Sequence, residues 1–109
     1  MINEKILASL RQELHEQTAQ MRWSELERFF AGGQVISVAA ELDLIDVGAR
    51  IAADDKASVE AWMNAGLVYR TTDTQATDWI NSDALLWVVV LKPWILVQHN
   101  RKQPLATAQ

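Results

Sequence analysis

Leu85 to Leu91 (L-L-W-V-V-V-L) is the most apolar stretch of the chain, bounded by Asp83 on one side and the Lys92-Pro93 pair on the other. An unbroken run of Val, Leu and Trp of this length fits a strand covered on both faces, so whatever fold forms has to supply two layers of cover. The apolar character resumes after Pro93 and reaches Val97. A membrane span needs about 20 apolar residues, and Lys92 and Pro93 interrupt this stretch, so it reads as the core of a soluble domain.

The remaining sequence offers short amphipathic segments suited to covering such a strand. Ile6, Leu7, Leu10, Leu14 and Met21 recur at helical spacing, with Glu4, Arg11, Gln12, Glu16 and Gln20 opposite, and predict one amphipathic helix over the first twenty or so residues. Gln17 and Thr18 break that stripe, which argues against a coiled coil. Ser24 with Glu27 reads as a capping box for a second helix carrying Leu26, Phe29 and Phe30, ended by Gly32-Gly33. Gln34 to Ala39 reads as a strand. Asp43 caps a helix with Leu44, Val47, Gly48, Ile51 and Ala52 inward, and Asp54 or Asp55 restarts a further helix with Val59, Trp62 and Met63 inward and Gly66 at its end. Leu67 to Arg70 is a short strand. Thr72 or Asp73 then caps a helix with Ala76, Trp79 and Ile80 facing in.

Pro93 has no amide hydrogen, so Lys92-Pro93 sits either in a turn joining two antiparallel strands or at a bulge in one long strand. The hairpin is the preferred reading, with a turn over Lys92 to Ile95 returning Leu96 to His99 beside Trp87 to Leu91. From Asn100 onward the sequence has no period, so residues 1–99 read as a single domain and 100–109 as a polar, flexible tail.

Chain length, composition and charge narrow the function classes. A chain of 109 residues is one domain. Half its residues are apolar, five of them Trp, which is a folding composition rather than a disordered one. With no Cys there are no disulfides, thiolate metal sites or thiol nucleophiles, which fits a reducing compartment. The N-terminus lacks the charged-then-apolar layout of a signal peptide, so a cytoplasmic location is expected. A net charge of -4 argues against nucleic acid as a partner. The acids concentrate between Glu41 and Asp83, nine against three basic residues, and several stand where helix caps belong.

Few groupings carry chemistry. His15 and His99 are far apart in sequence and lack ligand spacing, so no metal or cofactor is expected. Asp43, Asp46, Asp54 and Asp55 lack the pattern of a calcium loop and read first as caps. No serine sits in a nucleophile elbow, and Gly32-Gly33 is not followed by the Lys-Ser/Thr of a phosphate loop. The Trp residues are mostly core, but an indole N–H wants an acceptor, and Trp94 beside Pro93 is the first choice to line a ligand cleft or protein contact. The candidate site residues are therefore Trp94, Pro93, Asp43, Asp46 and Trp23.

The segments W-S-E-L-E-R-F-F-A-G-G (Trp23 to Gly33), E-L-D-L-I-D-V (Glu41 to Val47), D-D-K (Asp54 to Lys56), Trp62 and K-P-W-I-L-V-Q (Lys92 to Gln98) together resemble a family of small bacterial proteins known only as a domain of unknown function. The resemblance covers most of the chain. It implies a stand-alone cytoplasmic domain and transfers no activity, cofactor or site residue.

These readings combine into an α+β domain: a small three- to four-stranded sheet, from Val35 to Val38, Val68 to Tyr69 and the Leu85 to Val97 run, covered by about five short helices. The expected function is a non-enzymatic interaction or regulatory module. The alternative is a small-molecule-binding protein or enzyme using Trp94 with Asp43 or Asp46. Self-association is expected, either through the stripe of the first helix or through the final strand, taken to lie at a sheet edge.

Overall fold

The computed structural model describes residues 3–99. Its elements are α1 (Glu4–Gln17), β1 (Ala19–Arg22), α2 (Trp23–Ala31), β2 (Val35–Val38), α3 (Leu44–Ala52), α4 (Lys56–Asn64), β3 (Val68–Arg70), α5 (Asp73–Ser82), β4 (Leu85–Leu91) and β5 (Trp94–Gln98). The chain is α+β as expected, with five strands in one sheet rather than three or four, in the order β1-β4-β5-β2-β3. The expected tail, 100–109, lies outside the described residues.

Alternation along the strands divides the core in two. Val89 of β4, Leu96 of β5, Val38 of β2 and Val68 of β3 point to one face, where Leu7 and Leu14 of α1 and Leu44, Val47 and Ala49 of α3 cover them. Leu86 and Val88, Ile95 and Val97, and Val35 point to the other, under Trp23 and Leu26 of α2 and Trp79 of α5. The Leu85–Leu91 run is covered on both faces through its middle, Leu86 to Val89, whereas Leu85 and Val90 are exposed, short of the full cover expected. Each fully buried Leu or Val contributes about 1.5–3 kcal/mol relative to exposure, so the two clusters are the main source of stability.

The strand missing from the sequence reading is β1. The expected first helix stops at Gln17, because Thr18 is extended (φ -66°, ψ 132°) and turns its hydroxyl back onto the Leu14 carbonyl, 2.7 Å away. Ala19 to Arg22 then pair antiparallel with Val88 to Leu85, and Met21, expected on the helix, lies instead on a strand against the α2 side of the core. The second helix starts at Trp23, one residue before the expected Ser24 cap, with the Glu25 carboxylate accepting the Arg22 N–H at 3.2 Å. Gly33, at φ +74°, carries the chain out of α2 in the left-handed region that glycine tolerates best.

Lys92-Pro93 forms the tip of a hairpin, with a cis peptide between the two residues and Leu91 paired with Trp94. β5 therefore begins two residues earlier than expected. On its other side β5 pairs in parallel with β2, Val35 to Ser37 against Ile95 to Val97. This corrects the expectation that the final strand lies at an edge: its backbone is bonded on both sides and has no free rim for a second copy. On the first helix, Leu7 and Leu14 are buried against α3 and the sheet of their own chain, while Ile6 of the same stripe is 54% exposed.

Candidate functional site

The helix α4 differs from the other four in having no buried residue. Asp55 starts it by accepting the Ser58 N–H at 3.3 Å, and the helix lies against α3 and β3 at one corner of the sheet. Val59 and Met63 line a cleft of about 320 Å3 together with Ile36, Val68, Trp94 and Leu96 of the sheet. Met63 is 58% exposed and Trp94 is 37% exposed. Arg70 is the charged residue in the lining, and it makes no ion pair among the described residues. Sequence reasoning placed Met63 inward with Val59; its neighbours in this cleft come from β2, β3 and β5, which no local pattern connects.

The five expected site residues are not brought together. Trp94 lines the α4 cleft, while Pro93, the next residue back, lines a cleft on the opposite face beside α2. Asp43 caps α3, accepting from the Ile45 N–H at 2.9 Å, whereas Ile51, at the other end of that helix, is the α3 residue beside Trp94. Asp46 is held by Arg11, whose Nε and Nη2 donate to one carboxylate oxygen at 3.0 and 2.7 Å, tying α1 to α3. Trp23 is 1% exposed, with Phe30 and Trp79 edge-on to it at 5.4 and 5.3 Å, so it packs the core and presents nothing to a ligand.

Asp55 is similarly engaged. Its carboxylate accepts from Arg50 Nη1 and from the Ser58 hydroxyl, each at 2.8 Å, and these bonds, Arg50 first, hold it below the usual carboxylate range. The same bond to Asp55 pushes the Arg50 guanidinium up from its ordinary value. Such groups are caps and ion pairs, and their positions match what the sequence spacing implied for Asp43 and Asp55.

A polar cleft, unforeseen in the sequence, lies at the carboxyl ends of β2 and β5. The Ser37 hydroxyl lies 2.8 Å from the Thr71 hydroxyl and donates to Gln75 Oε1 at 3.2 Å, and the Gln75 amide donates to the Tyr69 hydroxyl at 3.0 Å. Trp79 Nε1 donates to His99 Nδ1 at 3.2 Å at the same end of the sheet. The partners of Ser37 are a hydroxyl and an amide, neither of which can take its proton, so this grouping lacks an activated nucleophile. The signal in the sequence was Ser37 itself, a polar position inside an otherwise branched strand, and the Thr72-x-x-Gln75 spacing. Among the described residues no group of three or more His, Asp and Glu is placed to hold a metal ion, and no helix is long and apolar enough to cross a membrane.

Residues 9–99 match the family described as protein of unknown function (DUF2288). The chain belongs to this family. It is also similar, at 36% sequence identity and a TM-score of 0.74, to the NMR solution structure of PA1075 from Pseudomonas aeruginosa, over 93% of this chain and 92% of that one. No match is found among curated proteins. The expected resemblance is therefore met at the level of the family, and the family's description assigns no chemistry to any of the residues above.

Proposed function

We propose that this chain is a non-enzymatic interaction module that associates with a second copy of itself through the surface formed by α4 and Trp94. The observation that carries the reading is the exposure of Met63 and Trp94 in the lining of one largely apolar cleft, beside a helix that packs Trp62 against the core but has no fully buried residue. Trp and Met are enriched at the centres of protein contacts, where a large amphipathic or adaptable side chain seats in a partner's groove. A two-fold contact would put each Trp94 against the other copy's cleft and cover Met63, the apolar residue of α4 that its own chain leaves exposed. Engagement of the acids in caps and ion pairs favours this reading over an enzyme that works through Asp43 or Asp46. A sequence without cysteine supports a cytoplasmic setting for such a module.

Sedimentation velocity across the micromolar range tests the proposal. The expected result is a concentration-dependent dimer that Met63→Glu and Trp94→Ala each convert to monomer, with the circular dichroism spectrum unchanged. A wild-type monomer at every concentration, or a dimer that persists in both variants, would overturn it.

A further inference from the structure

We infer that the cleft on the α2 face of the sheet is a binding site for a small amphiphile made of an apolar chain and a carboxylate head, with Lys92 holding the head. Its volume, about 530 Å3, lies in the range of small-molecule sites. Met21, Leu26, Phe29, Val88, Val90 and Ile95 form the walls. Val90 is 48% exposed in the chain as it stands, so an alkyl chain lying in this groove removes apolar surface that the fold itself leaves in water.

The charge at the mouth selects the head. Lys92 is the charged residue of the lining, no acid lines the cleft, and Lys92 makes no ion pair among the described residues. Arg28, outside the lining, sits with its guanidinium carbon 4.8 Å from the centroid of the Phe29 ring that forms one wall. A cation without an acid partner in the lining of an apolar groove, in a chain of net charge -4, gives the groove a charge opposite in sign to the whole. Such a mouth attracts an anionic head and repels a cationic one of the same length. The mouth is also held in shape: the Gln34 amide donates to the Pro93 carbonyl at 2.9 Å, and Ile95 N–H donates to the Gln34 carbonyl at 2.9 Å, fixing the turn against the end of α2. Little ordering is left for a ligand to bring about.

The site is on the opposite face from the Trp94 cleft, so it stands or falls independently of self-association. The test is a methyl NMR titration of the full chain with decanoate below its micelle concentration, beside decanol and decyltrimethylammonium at matched concentrations. The expected result is saturable shifts at the Met21, Val88, Val90 and Ile95 methyls with decanoate, with affinity about tenfold lower for each of the other two amphiphiles and for decanoate with Lys92→Glu. No saturable shift, equal binding of the cationic amphiphile, or shifts centred on Met63 and Leu96 instead would overturn the inference. The comparison among the three amphiphiles uses the unmodified chain and decides the charge preference even if the variant is poorly folded.

Discussion

The side-chain amide of Gln98, 1% exposed on the central strand, donates to the Leu42 carbonyl at 2.8 Å and to the Ala39 carbonyl at the same distance. One amide thereby satisfies two carbonyls of the loop that joins β2 to α3, and it anchors the start of α3 to the sheet. Gln98→Leu keeps the apolar fit but takes this donor from the Leu42 carbonyl, at about 1–3 kcal/mol, while the Ala39 carbonyl keeps its bond from the Leu42 N–H at 3.1 Å. Gln98→Glu turns an acceptor toward them and is expected to cost more near neutral pH. Urea denaturation of the two variants checks both the size and the order of the losses.

Gly48 stands where α3 crosses α1 above the sheet. A Cβ at this position would lie 3.2 Å from Leu14 Cδ1 and 3.6 Å from both Leu96 Cδ1 and Val89 Cγ1. Gly48→Ala gains about 1 kcal/mol of helix propensity and spends a similar amount displacing the Leu14 methyl, so its net effect on stability is within about 1 kcal/mol. A larger side chain has nowhere to go. Gly48→Leu is expected to cost at least about 1–3 kcal/mol, read as a fall in melting temperature.

Asp55 gives the acid limb of the stability curve a specific cause. Its carboxyl is lower in the folded chain than its ordinary value because Arg50 and Ser58 bond the ionised form. A depressed carboxylate contributes stability that is present above the unfolded value of about 3.9 and is lost as pH falls through the folded one. The melting temperature of the native chain is therefore expected to fall more steeply below about pH 4 than that of Asp55→Asn, whose curve has lost this titration. Parallel slopes for the two proteins across that range would contradict the assignment.

How far these elements were legible in the sequence depends on how local their signals are. The caps at Asp43 and Asp55, the stop at Gly32-Gly33 and the strand that starts at Leu85 are written in neighbouring residues and appear where the spacing puts them, although Leu85 and Val90 are more exposed than an unbroken apolar run implies. β1 was hidden because Met21 falls seven residues after Leu14, two helical turns on, and only Met21 among its four residues is even partly buried. An edge strand with one inward side chain leaves no alternation to read. Ile80 shares the helical stripe of Ala76 and Trp79 yet is 47% exposed, because α5 meets the sheet through Gln75, Ala76 and Trp79. The parallel pairing of β2 with β5 joins residues about sixty positions apart, and nothing in either strand announces the other. The Trp94 cleft was half visible for the same reason: a Trp beside a turn proline suggests exposure, whereas its sharing a cleft with Met63 is a product of tertiary folding.

The most direct test of self-association at the α4 surface follows the indoles one by one. With the five Trp residues replaced by 5-fluorotryptophan, each gives a fluorine resonance, assigned by single Trp→Phe variants. On dilution through the micromolar range the Trp94 resonance is expected to move, while those of Trp23 and Trp79, packed together in the core, stay in place. A Trp94 resonance that holds its position at every concentration, or one that moves equally in Met63→Glu, would contradict the account.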